Sequence, residues 1–286
     1  MSSESIKTET VNGGNGRFFT DLARAYGGAI LFSFPMLMTM EMWWLGFSMN
    51  AYRLTIFTLL TVPLLVGLSY FDGFEDTSSA IDDIRETFIA YAVGFSASAA
   101  ILFLFGVIKP EMSSAEIVGK ISIQAVTASL GAMFAQSLLG GDGKTQEDAE
   151  KRKRSTSYFG QIFLTVVGAI FLSMSVAPTE EMVLISYQMT NWHAAALAVT
   201  TLLMMHGFIY AVEKRGQEKE IASSTPFWSL FLRFTVVGYA IVLLISFYLL
   251  WTFGSIDDMA FAEKLRVTIV LGFPAAIGGS ASRLIL

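Results

Sequence analysis

The chain of 286 residues contains no cysteine and only two histidines, His193 and His206. Disulfides, thiolate nucleophiles, iron–sulfur clusters and thiolate zinc sites are therefore excluded, and two imidazoles are too few for a multi-histidine zinc site. The sequence also lacks a serine-elbow motif, a zinc-binding HExxH motif, a phosphate-binding glycine loop and a dinucleotide fingerprint. We predict that the protein is not an enzyme and has no cofactor, leaving a bound monovalent or divalent cation as the open alternative.

Charged residues are scarce, at 15% of the chain, whereas an average soluble protein has about 25%. Apolar residues make up 53%, and the mean hydropathy is +0.57. The formal net charge of −5 gives no basic surface of the kind that nucleic-acid binding needs. The composition therefore predicts a membrane protein whose partners are lipids and not nucleic acids.

Long apolar segments are what the chain has in abundance. A helix needs about 20 apolar residues to cross a bilayer, and eight segments meet this length. They are residues 26–49, 54–70, 87–108, 117–139, 158–188, 194–212, 227–253 and 265–286. The fifth is too long for one straight crossing and contains Pro178, so we expect it to be kinked, tilted or broken there. The predicted fold is an all-α polytopic membrane protein of about eight transmembrane helices.

Lysines and arginines are distributed unequally between the two sets of loops that eight spans create. One set carries most of them, whereas the other has only Arg53, Lys109, Lys120, Lys264 and Arg266. Because positive residues are retained in the cytoplasm, the basic side is predicted to be cytoplasmic. This orientation places both termini and a charged linker in the cytoplasm.

The sequence contains an internal repeat. A shift of 140 residues aligns the first segment with the fifth and pairs Gly28 with Gly168 and Glu41 with Glu181. Shifts of 148 and 147 align the third segment with the seventh and the fourth with the eighth. Two four-helix repeats would enter the membrane in the same direction, because four is an even number. The predicted organisation is a polar tail 1–24, a first repeat 25–140, a linker 141–157 and a second repeat 158–286.

Two intramembrane carboxylates are the main candidates for chemistry, because a charge inside a span is costly and seldom lacks a function. Glu41 and Glu181 occupy equivalent places, and each follows a threonine, Thr39 or Thr179, by two residues. Glu180 adds a third carboxylate. Such oxygen-rich groups suit a hard cation, so we predict an ion-binding site with Glu41 and Glu181 as metal ligands. The alternative is that Glu41, next to two tryptophans, only contacts headgroups in the aromatic belt.

Two arginines lie just inside the cytoplasmic ends of the third and seventh segments. Arg85 and Arg233 are each followed by a tyrosine six residues later. Their long side chains can reach toward anionic lipid, which predicts a lipid contact. The alternatives are an ion pair with a carboxylate of the acidic loop 71–86, or gating of a pore. We expect the acidic loop itself to be solvated.

Two glutamates on the opposite side form candidate ion pairs. Glu116 precedes Lys120 by four residues, and Glu263 precedes Arg266 by three, so both pairs have helical spacing. Surface ion pairs are the expected result. The alternative is that Glu116 and Glu263 line an outer vestibule that concentrates cations.

As a whole, the chain resembles an uncharacterised family of bacterial multi-pass inner-membrane proteins with two internal repeats. The resemblance depends on the segments FSFPMLMTMEMWW and APTEEM and on the repeated layout of residues 25–286. It implies a fold but transfers no functional residue. The predicted function is a cation channel or cation/proton exchanger, as a single chain or a homo-oligomer. The alternative is a membrane scaffold or sensor with cytoplasmic partners.

Overall fold

The computed structural model describes residues 4–72, 80–139, 158–216 and 231–285, and every regular element among them is a helix. The predicted linker 141–157 lies outside these residues. The helices are α1 (Glu4–Leu37), α2 (Met40–Ser48), α3 (Ala51–Asp72), α4 (Ala80–Leu104), α5 (Ser114–Leu139), α6 (Tyr158–Met174), α7 (Glu181–Gln188), α8 (Asn191–Gly216), a π-helix (Phe231–Val236) that continues into α9 (Val237–Phe253), and α10 (Phe261–Ile285).

The described helices provide five or six membrane spans by length and composition. Five are single spans: Ala51–Tyr70, Ile81–Leu104, Ser114–Ala135, Phe231–Phe253 and Phe261–Arg283. The sixth is a bent pair, Phe19–Leu37 with Met40–Ser48. A further apolar helix, Tyr158–Met174, is shorter than a usual span. The structure thus confirms an all-α polytopic membrane protein, whereas the prediction of eight spans is finer than these helices establish.

Two of the predicted spans are broken near their middle. The axes of α1 and α2 differ by 87°, so the segment 26–49 does not cross the membrane as one straight helix. The expected break near Pro178 is present: α6 ends at Met174, and α7 begins at Glu181 after six residues of turn. At the other end of the first segment, α1 starts at Glu4 and runs through most of the predicted polar tail.

Paired glycines set the closest helix contacts. A Cβ atom on Gly28 of α1 would lie 2.6 Å from the carbonyl oxygen of Gly131 on α5. On α6 and α10, a Cβ atom on Gly168 would overlap the carbonyl oxygen of Gly278 in the same way. Small residues let helix backbones approach closely in a membrane, where van der Waals packing replaces the hydrophobic effect between helices. The α1–α5 and α6–α10 pairs are therefore two close helix crossings of the fold.

A central methionine-rich cluster joins the two halves of the chain. It contains Met36 and Met42 from the first half and Met174 and Met182 from the second, all buried. An ion pair joins the same halves: Arg53 contacts the Asp257 carboxylate through two nitrogens at 2.8 and 3.0 Å. We call the end of the molecule that holds α2, α7 and this ion pair the break end.

Candidate functional site

The carbonyl oxygens at the end of α1 accept hydrogen bonds from side chains. The last carbonyls of a helix have no partner inside it, so a buried helix end needs other donors. Thr39 Oγ1 donates to the Pro35 carbonyl at 2.5 Å, and Trp43 Nε1 donates to the Leu37 carbonyl at 2.7 Å. Both donors come from the residues just after the break. The backbone carbonyls at the break are therefore hydrogen-bonded, and the break is a stable feature of the fold.

The third donor comes from a different helix. Gln124 of α5 is completely buried, and its Nε2 donates to the carbonyl oxygen of Met36 at 3.2 Å. The other amide atom, Oε1, has no hydrogen-bond partner among the described residues. An unsatisfied buried acceptor costs about 1–3 kcal/mol. A bound ion or an ordered water could satisfy such an atom.

A hydroxyl one turn along α5 lies between sulfur atoms from both halves. Thr127 is completely buried, and its Oγ1 lies 2.8 Å from Met36 Sδ and 4.0 Å from Met174 Sδ. Gln124 and Thr127 are three residues apart, so they share one face of α5. We call these two residues, with Met36, the helix-break site. It is a polar group of atoms inside an otherwise apolar interface.

The predicted carboxylates lie just beyond the two breaks. Glu41 is half-buried on α2, and Glu180 and Glu181 are exposed at the start of α7. The residues that follow Glu41 and Glu181, Met42 and Met182, belong to the same central cluster. Both glutamates are therefore at the break end, on either side of the contact between the halves.

None of these three carboxylates has a hydrogen bond or ion pair within the described part of the chain. There the structure also brings together no group of three or more Asp, Glu or His side chains that could hold a metal ion. The threonines bond to backbone instead: Thr39 to Pro35, as above, and Thr179 Oγ1 to the Val176 carbonyl at 2.8 Å. Direct coordination of one ion by Glu41 and Glu181 thus stays a prediction.

The two arginines lie at helix starts and are exposed. Arg85 is in the second turn of α4, and Arg233 is in the π-helix before α9. The backbone carbonyl of Arg233 accepts a hydrogen bond of 2.9 Å from the Tyr158 hydroxyl, which leaves its guanidinium at the surface. These positions are compatible with the predicted lipid contact, and neither lies at the helix-break site.

Only one of the two predicted ion pairs forms among the described residues. Lys120 Nζ contacts Glu116 Oε1 at 2.9 Å, as its spacing predicts. Glu263 accepts the backbone N–H of Ala260 at 3.2 Å instead of pairing with Arg266. The guanidinium of Arg266 donates to the Met189 carbonyl at 3.2 Å. The second pair was predicted wrongly because Glu263 lies in the first turn of α10, where unpaired N–H groups compete for its carboxylate.

Sequence reasoning also missed a buried acidic group at the opposite end. Asp83 and Glu86 of α4 are each 6% exposed, and the Ser69 hydroxyl of α3 donates to both carboxylates. The prediction of a solvated loop is therefore wrong for these two residues. Their spacing of three residues on a helix was the signal available in the sequence. The Ser69 partner, distant along the chain, gave no such signal.

Comparison with known proteins agrees with this architecture. The family model described as "Putative integral membrane protein (DUF2391)" matches residues 21–286, which is nearly the whole chain. Neither the curated proteins nor the solved structures yielded a match. The match covers the broken helix α1–α2, the glycine crossings and the helix-break site. The chain therefore belongs to this family of integral membrane proteins.

Proposed function

We propose that the protein transports a small cation across the membrane, as a channel or a cation/proton exchanger. The observation that carries the proposal is the helix-break site, where a buried amide oxygen of Gln124, without a partner in the described part of the chain, lies beside the carbonyl end of a broken membrane helix. Discontinuous helices of this kind form the ion sites of many secondary transporters. Glu41 and Glu181 are the carboxylates through which the cation enters or with which a proton exchanges.

The electrostatics of the break favour a cation. The C-terminal end of a helix carries a partial negative charge of about half an electron, because its last carbonyls point the same way. The C-terminal ends of α1 and α6 both reach the central cluster, through Met36 and Met174. The negative ends of two helices therefore converge from the two halves. Three glutamates lie a few residues further on, and two of the cations at this end are paired with carboxylates, Arg53 with Asp257 and Lys120 with Glu116.

An internal duplication supports a site on an axis between the halves. The repeat aligns the glycines at the α1–α5 crossing with the glycines at the α6–α10 crossing. The broken segments also correspond, since Ser33 and Ser173 each donate to the carbonyl four residues earlier. Parallel repeats of this kind place matched residues at matched depths on either side of the axis. Glu41 and Glu181 would then face each other at one depth.

The burial of the site favours an exchanger over an open channel. Gln124 and Thr127 have no exposed surface, so an ion reaches them only after the packing of the halves changes. A carrier that alternates between two accessible states passes through such an occluded form, whereas a conducting channel needs a continuous aqueous path. Under the predicted orientation, the break end faces outward and the charged linker faces the cytoplasm.

The test is ion flux into proteoliposomes that contain the purified protein. K⁺, Na⁺, Ca²⁺, Mn²⁺ and H⁺ are each supplied as a gradient, with and without a pH gradient and with and without an applied potential. An exchanger is expected to move one cation against protons, and a channel to follow the potential alone. A folded protein that moves none of these ions would overturn the proposal and favour the scaffold or sensor alternative.

A further inference from the structure

An open cleft of about 360 Å³ lies at the break end, beside α2. It is bounded by α2, by the segment between α4 and α5, and by the first turns of α5. Its walls are mainly aromatic and aliphatic, with Trp43, Trp44, Phe47 and Phe105 among them. The charged side chains on its described walls are Lys109 and Lys120. An apolar cleft with two ammonium groups needs an occupant that is both apolar and anionic.

The position of Lys120 is set by close helix packing. A Cβ atom on Gly119 of α5 would overlap the carbonyl oxygen of Gly46 on α2, so the two helices touch through these glycines. Lys120, the next residue, is consequently enclosed under α2 and is only 6% exposed. Its Nζ lies 5.5 Å from the ring centroid of Phe47, which is a cation–π distance. The ammonium is therefore held in place inside the cleft.

The charge in and around the cleft fits a monoanion. Lys109 and Lys120 contribute two positive charges, and Glu116 behind Lys120 contributes one negative charge at 2.9 Å. Lys109 is exposed at the mouth, where its ammonium can reach a headgroup. On the cleft wall itself the two lysines, offset by the contact of Glu116 with Lys120, leave a net charge of about +1, which matches one phosphodiester. Glu111, exposed on the segment between α4 and α5, lies outside this wall.

We propose that this cleft binds one anionic phospholipid, with its phosphodiester between Lys109 and Lys120 and an acyl chain along the aromatic wall. Trp43 and Trp44 support a position at the membrane boundary, where tryptophans are enriched. A free phosphate would leave the apolar wall exposed to water, whereas a lipid chain covers it. The inference is independent of ion transport, because it needs only the cleft and its charges.

The cleft is a feature of the first half alone if the repeat holds. A shift of 147 residues places Val267, a completely buried residue, where the first half has Lys120. The expected stoichiometry is one lipid per chain. Trp43 of α2 lines the cleft and also donates a hydrogen bond to the end of α1. The bound lipid therefore contacts α2, the helix that follows the break. Its headgroup, held by Lys120 of α5, braces α2 against α5.

Quenching of tryptophan fluorescence by brominated lipids tests the proposal. Trp192, Trp228 and Trp251 are replaced by phenylalanine, which leaves Trp43 and Trp44 as the fluorophores. The protein is reconstituted in phosphatidylcholine with increasing brominated phosphatidylglycerol or, in parallel, brominated phosphatidylcholine. The expected result is at least threefold stronger quenching per mole fraction by the brominated phosphatidylglycerol.

Charge variants distinguish lipid binding in the cleft from general electrostatic attraction of anionic lipid to the protein. The double variant Lys109→Gln with Lys120→Gln is expected to abolish the preference for phosphatidylglycerol, and Glu116→Gln is expected to increase it. Lys264 is a cation at the same end but outside the cleft, so Lys264→Gln is expected to leave the preference unchanged. Each variant is first checked for helix content and a monodisperse elution profile. Because Lys120→Gln also removes a buried ion pair, the exposed Lys109→Gln alone serves as a second variant, with an expected reduction of at least twofold in the lipid preference.

Three results would overturn the proposal. The first is equal quenching by both lipids in the parent protein. The second is a preference that persists in the folded double-lysine variant. The third is displacement of the lipid by millimolar inorganic phosphate or glycerophosphate, which would assign the cleft to a free anion.

Discussion

The side-chain amide of Gln124 on α5 donates to the carbonyl oxygen of Met36 on α1 at a distance of 3.2 Å. The same carbonyl accepts the backbone N–H of Thr39 at 3.1 Å, so the broken end of α1 is capped from both sides of the break. Helix α5 is thus the packing partner of α1 along its length and the donor at its end. A change at Gln124 should therefore affect the break without affecting the glycine crossing.

Replacement of Gln124 by leucine, the residue at Leu271 with which the predicted repeat aligns it, separates transport from stability. Loss of one buried hydrogen bond and one unsatisfied oxygen should change the free energy of unfolding by only about 1 kcal/mol, because both polar atoms leave together. Ion flux should fall at least tenfold. Ser129→Ala is the matched control, since Ser129 is also buried on α5 but bonds to its own helix. Normal flux in a folded Gln124→Leu protein would contradict the role of the site.

Two adjacent glycines on α1 should respond differently to alanine. A Cβ atom on Gly28 would meet Ala135 and the Gly131 carbonyl, whereas a Cβ atom on Gly27 would have no described atom within 4 Å. Gly28→Ala should destabilise the protein by about 1–3 kcal/mol through overpacking. Gly27→Ala should be neutral or stabilising by up to about 1 kcal/mol, because alanine favours a helix. Thermal unfolding in detergent measures both, and equal midpoints would refute the close crossing.

The same comparison is available in the second half. Gly168 packs against Gly278, whereas a Cβ atom on Gly207 would have nothing within 4 Å among the residues that the structure describes. Gly168→Ala is expected to lower the unfolding temperature as much as Gly28→Ala, and Gly207→Ala to leave it near the parent value. A large effect in one half only would weaken the argument for two equivalent crossings.

The ion pair between Arg53 and Asp257 should couple the two halves modestly. Its geometry is bidentate, but the Asp257 side chain is 43% exposed, so solvent screens the pair. A double-mutant cycle with Arg53→Gln and Asp257→Asn should give a coupling energy of about 0.5–1 kcal/mol, decreasing with salt. Arg53→Lys should not restore it, because lysine cannot form the planar two-nitrogen contact. A coupling of zero at low salt would show that the pair does not join the halves.

Two neighbouring tryptophans should differ in their contribution to the break. Trp43 donates from its indole nitrogen to the Leu37 carbonyl, whereas Trp44 is 62% exposed and contacts Phe47 edge to face. Trp43→Phe should therefore cost about 1 kcal/mol of stability, from one lost buried hydrogen bond. Trp44→Phe should cost little. Equal effects in thermal unfolding would indicate that the indole nitrogen does not stabilise the end of α1.

Sequence patterns predicted the membrane architecture and the break near Pro178, but not the break that follows Leu37. A proline alone did not identify it, because Pro63 and Pro274 lie inside the continuous helices α3 and α10. What differs after Pro35 is the presence of side chains that satisfy the freed carbonyls. The most distant of these, Gln124, lies 88 residues away in sequence. The helix propensity of the local sequence cannot predict a partner so far along the chain.

The candidate site was likewise only partly visible in the sequence. Glu41 and Glu181 were found because a charge in an apolar segment stands out, and the repeat pairs them. Gln124 and Thr127 carry no charge, and the identity of their neighbours depends on how α1 and α5 cross. The bond of Gln124 to the Met36 carbonyl, and the burial of Thr127 beside sulfur atoms from both halves, are tertiary contacts. Sequence alone therefore locates the two glutamates that follow the breaks better than the buried Gln124 and Thr127 that pack against them.

The most direct test of cation transport compares carboxylate variants in the flux assay. Glu41→Gln with Glu181→Gln removes the paired charges and keeps the side-chain volume, and Glu263→Gln is the matched control at the same end of the molecule. We expect the double variant to lose at least nine-tenths of the cation flux and the control to keep the parent rate. A folded double variant that transports at the parent rate would contradict the account.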